Sequence, residues 1–106
     1  MTHRLHHGVL YLEVPGDIVS TGVRELSDQL NSIRTLAEVQ QADWHTMELD
    51  LSGARMIDSM GLNFLVQVLK WVEERRAATR ILIRDKNLDR LLHFTRLNEH
   101  AEIVHA

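Results

Sequence analysis

The chain has 106 residues, 12 Lys and Arg against 15 Asp and Glu, and no cysteine. That length suits one domain over residues 1–106, able to bury roughly two thirds of its unfolded surface. The charge balance excludes the basic stripe of a nucleic-acid binder, and the missing cysteines exclude a disulfide frame and thiolate chemistry. No apolar run approaches the ~20 residues needed to cross a bilayer. The polar, His-rich start has no apolar segment of the secretory kind, so a cytoplasmic protein without membrane insertion is expected. Seven histidines would reverse the sign of the net charge if all were protonated, a physical side effect rather than a function.

The predicted elements alternate between strand and helix. Met1 to His6 pairs as a hairpin, around His7-Gly8, with a strand carrying Val9, Leu10, Leu12 and Val14. Pro15-Gly16-Asp17 stops that strand. Val23, Leu26, Leu30, Ile33 and Ala37 share one helical face, so a first helix is expected to reach Ala37. Gln40 to His45 reads as a polar loop. Met47, Leu49 and Leu51 alternate with Glu48 and Asp50 in a central strand, which Ser52-Gly53 breaks.

A second helix is expected from about Met60 to about Arg76. Arg80 to Arg84 forms a short buried strand. Asp85 or Asn87 caps a third helix carrying Leu88, Leu91 and Leu92, and Glu102 to His105 forms a last strand. Strands separated by helices imply crossover connections, and the first hairpin adds an antiparallel strand. The expected fold class is therefore α/β, a single mixed and mostly parallel sheet with packed helices.

The second helix has two apolar faces. Leu62, Leu65, Val66, Leu69 and Val72 suffice to dock it on the sheet. Met60, Phe64, Val68 and Trp71 form a ridge on the other side. Either a neighbouring helix covers this ridge or it binds another protein, for which Met and Trp are suited.

Asp58 and Ser59 stand at the start of this helix. Both are good N-cap residues, and a helix start also tolerates a phosphate. Ser59 is therefore either a cap or a phosphate acceptor. No catalytic residues are expected. Ile57 removes the first glycine of a Gly-x-Ser-x-Gly elbow, and there is no Gly-rich phosphate loop with lysine. Asp50 and Asp58 read as a strand-end residue and a cap rather than as an acid–base pair. His3, His6 and His7 lack a further ligand at a known spacing, so neither metal nor cofactor is expected.

The run from Leu49 to Leu62, ending in Asp58-Ser59-Met60-Gly61-Leu62, resembles the STAS domains, and within them the bacterial anti-sigma factor antagonists. Pro15-Gly16-Asp17-Ile18 matches that family's Gly-Glu-Leu-Asp turn, and Asn87 to Leu97 matches its third helix and Thr-Gly-Leu ending. The resemblance runs from about Val9 to Val104.

It implies a STAS-like fold and a non-enzymatic switch in transcription regulation. Ser59 would be phosphorylated by an anti-sigma factor that is itself a serine kinase, and a phosphatase would reset it. Asp17, Asp58, Met60, Gly61, Phe64, Val68 and Trp71 would contact the partner; a homodimer is also compatible. The other reading is an unphosphorylated docking subunit of a membrane transporter ATPase or signalling assembly, using the Met60–Trp71 ridge. Met60 stands where the family has a second Ser or Thr, Val19 where it often has Asp, Asp17 where it has Glu, and Arg96 where Gly is common. The chain ends soon after the last strand, so the family's usual final helix is expected to be absent.

Overall fold

A computed structural model describes all residues, 1–106. The first hairpin forms as its turn residues dictate. Strand β1 (Thr2–His6) pairs antiparallel with β2 (Val9–Glu13). His7 and Gly8 both take positive φ, 48° and 80°, as a two-residue turn matched to strand twist requires. Helices α1 (Ser20–Thr35) and α2 (Ala37–Gln41) lead to β3 (Thr46–Asp50). Helix α3 (Ser59–Glu74), strand β4 (Ala78–Ile83), helix α4 (Lys86–Phe94), a 3-10 turn (Leu97–Glu99) and β5 (Glu102–His105) complete the chain. No helix is long and apolar enough to cross a membrane.

The strands lie in the order β1-β2-β3-β4-β5, and every pairing after the first is parallel. Each crossover therefore steps in the same direction across the sheet. Right-handed crossovers that all step one way put every helix on one face. The burial pattern agrees. Leu10, Leu12, Met47, Leu49, Ile81 and Ile83 are buried on the helix side, while Tyr11, Glu48 and Arg80 lie side by side, half-buried, on the open side. There Arg80 bridges Glu48 at 3.1 Å and Glu102 at 3.8 Å, one row across three strands. The alternation of β3 reflects this single covered face.

Two expectations are corrected. The helix expected to reach Ala37 is interrupted by Leu36, which is extended at φ −64°, ψ 130°. The redirected chain forms α2, whose last two residues, Gln40 and Gln41, lie in the segment expected to be loop. This turns Val39 wholly into the core, where its carbonyl accepts the indole N–H of buried Trp44 at 2.9 Å. The second correction concerns Phe64 and Val68, expected among the partner contacts; of the two readings of the α3 ridge, cover by a neighbouring helix holds for them. Phe64 and Val68 are 1% and 0% exposed and belong to the core of 24 buried residues. Helix α1 packs against α3 and covers that face with its own buried Val23, Leu30 and Ile33.

Trp71 is half-buried. It meets Trp44 edge-on, with ring centroids 5.5 Å apart, and lies under the Arg34 guanidinium. The Arg75 guanidinium stacks on Trp44, at 4.1 Å. Helix α3 ends directly beyond, with Arg76 at φ 61°. The amide of Ala77 donates to Val72 and that of Arg76 to Glu73, which satisfies the last helical carbonyls.

Candidate functional site at the start of helix α3

Two loops meet at the C-terminal edge of the sheet, one after β2 and one after β3. Hydrogen bonds stitch them together. Asp17 Oδ1 accepts the amides of Arg55 and Met56 at 2.8 and 3.1 Å. The Ile18 amide donates to the Met56 carbonyl at 3.0 Å, and the Asp58 amide donates to Ile18 at 3.3 Å. Ile18 and Ile57 thus form an isolated parallel bridge. Asp17 is a brace for the second loop.

Asp58 is the junction of the site. Its backbone is extended, at φ −91° and ψ −174°, as an N-cap requires. Its Oδ1 accepts the Gly61 amide at 2.9 Å, capping α3, and its Oδ2 accepts the Ser20 amide at 2.7 Å. Val19, at the cap position of α1, contributes no side-chain bond there. One carboxylate therefore serves the free amides of two helix ends. The Gly61 amide, then the Ser20 amide, hold the Asp58 carboxyl below its ordinary value, because both bonds favour the charged form.

Gly61 sits where α3 crosses this junction. A Cβ there would lie 2.0 Å from the Ile18 carbonyl oxygen and 2.9 Å from Ile57 Cγ2. The glycine allows backbone to touch backbone, and the residue is buried. Its place in the motif has a packing cause.

Ser59 is the first residue of α3 and is exposed. Its hydroxyl makes no hydrogen bond within the chain, because Asp58 does the capping. Of the two expected roles for this serine, the cap is therefore filled by its neighbour. Met60 follows at 49% exposure, and Met56, on the other side, is 59% exposed. Sequence reading missed Met56; the available signal was an apolar residue in a polar helix-entry loop.

The expected site thus separates into three groups. Ser59 and Met60 form the accessible surface. Asp17, Asp58 and Gly61 build the junction beneath it. Phe64 and Val68 are core, and Trp71 lies twelve residues along α3, about 18 Å from Ser59 at the helical rise. No group of three or more His, Cys, Asp or Glu side chains is arranged to hold a metal ion.

This arrangement of sheet, stitched loops and serine-led helix has known relatives. The sequence profile of the STAS domain matches residues 2–105. The chain belongs to the STAS domain family. Among solved structures, this STAS chain is similar to an anti-sigma factor antagonist from Mycobacterium paratuberculosis. The TM-score is 0.76 at 19% identity, over 97% of this chain and 82% of that one. At that identity the likeness is one of fold. No curated protein matches the chain by sequence. The five-stranded mixed sheet with helices on one side is the expected fold class.

Proposed function

We propose that this STAS domain is a non-enzymatic interaction switch, an anti-sigma factor antagonist of the cytoplasm whose partner binding is set by phosphorylation of Ser59. One observation carries the reading. The Ser59 hydroxyl is exposed and unbonded at a helix start where a neighbouring carboxylate already caps the amides. A kinase can therefore take this hydroxyl without undoing the fold.

A phosphate there would add about −1.5 to −2 charge beside the ionised Asp58. The positive end of α3 offsets part of that, by roughly 0.3–1 kcal/mol. The flanking Met60 and Met56 offer apolar contact to a partner. A partner surface fitted to a neutral hydroxyl and two thioethers would meet a dianion after phosphorylation. Desolvating it without a matched cation costs several kcal/mol, about the size needed to release a partner. The kinase and the phosphatase that this cycle needs are separate proteins. The docking-subunit reading rests on the Met60–Trp71 ridge, whose middle residues Phe64 and Val68 are buried; the antagonist reading loses the same two contacts but keeps the exposed Ser59 and Met60.

The test is intact-mass analysis of the protein from its native cells, with co-purifying proteins identified. One added phosphate mapped to Ser59, absent in Ser59→Ala, together with a kinase-type partner bound only to the unmodified form, is the expected result. Recovery with a transporter ATPase, with no phosphate under any growth condition, would overturn the reading.

A further inference from the structure

We infer that the cleft between the β3–α3 loop and the β4–α4 connection is an anion-binding surface that takes an acidic segment of a protein partner. The cleft is open, about 530 Å³ in volume, and is lined by Ser52, Gly53, Ala54, Arg55, Arg84, Asp85 and Lys86. Three of the seven lining residues are cations, in a chain where acids outnumber Lys and Arg by 15 to 12.

These cations are free. The ion pairs of the chain involve Arg80 and several histidines. The stacked guanidiniums are those of Arg4, Arg34 and Arg75. Arg55, Arg84 and Lys86 enter neither set, and all three are exposed. The one acid in the lining, Asp85, is tied by its Oδ1 to the Asn87 and Leu88 amides as the cap of α4, and offsets only one of the three positive charges. The excess positive charge that remains repels itself, and an anion entering the cleft relieves that repulsion.

The position favours a protein partner. The cleft opens at the C-terminal ends of β3 and β4, where parallel sheets collect their ligand-facing loops. Arg55 and Met56 lie on the loop that leads into the exposed Ser59–Met60 start of α3, so a single partner can span both. The charges sit on two separate loops around an open, shallow space, with Ala54 its only apolar residue. That spread suits several carboxylates along an extended segment better than one compact anion. The cleft does not depend on Ser59: a chain never phosphorylated carries it unchanged.

The probe is a fluorescently labelled hexaglutamate peptide, titrated with the intact protein at low and moderate salt. Binding should weaken with salt and fall at least about tenfold in the triple variant Arg55→Gln/Arg84→Gln/Lys86→Gln. The control Arg24→Gln/Lys70→Gln/Arg90→Gln removes the same charge elsewhere and should stay within about threefold of the parent. Amide NMR shifts in the parent protein should map to residues 52–55 and 84–86, which needs no variant to fold. Absence of binding, equal losses in both triple variants, or shifts elsewhere would overturn the inference. So would displacement of the peptide by inorganic phosphate at lower concentration than by free peptide, because the site would then be one for small anions.

Discussion

Replacing Gly61 with alanine tests the stitched junction directly. On an open helix the change would stabilise, by up to about 1 kcal/mol, because alanine is the better helix former. Here the new Cβ would stand 2.0 Å from the Ile18 carbonyl oxygen. Ordinary contact needs more than about 3 Å, so the strand of backbone at Ile18 must retreat by over about 1 Å. That carbonyl is not free to move. It accepts the Asp58 amide at 3.3 Å, and the Ile18 amide is tied to Met56 at 3.0 Å. Overpacking of this kind costs about 1–3 kcal/mol, and the fixed backbone places it at the upper end. The net expectation is a loss of about 2 kcal/mol, or roughly 8 °C in melting temperature for a domain of this size. Gly22→Ala is the internal control. It lies in α1, where an added methyl would meet nothing within 4 Å, so it should gain up to about 1 kcal/mol. Urea unfolding followed by circular dichroism, with unchanged slopes, gives both values. A Gly61→Ala protein as stable as its parent would refute the reasoning.

Four further outcomes are expected. Asp58→Asn keeps one acceptor oxygen and turns an amide NH2 toward a second N–H, so it should be less stable than the parent at neutral pH. Because the native Asp58 carboxyl is held low, its stabilisation is present above the ordinary carboxylate value of about 4 and is lost as pH falls through the lower folded value. Urea midpoints of parent and variant should therefore converge in acid, and a gap independent of pH would contradict the cap. Arg96 sits at φ 63° after α4, so Arg96→Gly relieves left-handed strain of about 1–2 kcal/mol. Against the greater chain entropy of glycine, a net gain of about 0.5–1 kcal/mol in urea unfolding is expected. Phe64→Ala empties a wholly buried site and should cost about 3–5 kcal/mol in the same assay. Ser59→Ala removes a hydroxyl with no internal partner and should change stability by less than about 0.5 kcal/mol, while abolishing phosphate incorporation.

Local chemistry made much of the layout readable. The His7-Gly8 turn, the Pro15-Gly16-Asp17 stop, the Asp85 cap and the span of β5 each follow from residues within a few positions of one another. Alternating polarity in β3 was enough to indicate a strand; that only one face of the sheet is covered emerged from the strand order. Leu36 shows where local reading fails. Nothing near it breaks a helix, and the interruption follows from the core position that Val39 takes and the carbonyl it offers to Trp44. The α3 ridge fails for a related reason. Periodicity shows that Phe64 and Val68 share a face but cannot say whether α1 will cover it.

By itself the sequence determined the order and type of the strands and main helices, the STAS-like motif, and Ser59 at a helix start. These depend on short-range periodicity and capping, which are written in neighbouring residues. Only the tertiary structure decided what the motif residues do. Asp58 reaches Ser20, and Gly61 makes room for Ile18, across about forty positions of chain. Contacts between segments so far apart depend on how the crossovers stack the two loops on one sheet edge, and no local pattern encodes that meeting. The local Asp58 cap frees Ser59 from capping and leaves its hydroxyl at the surface.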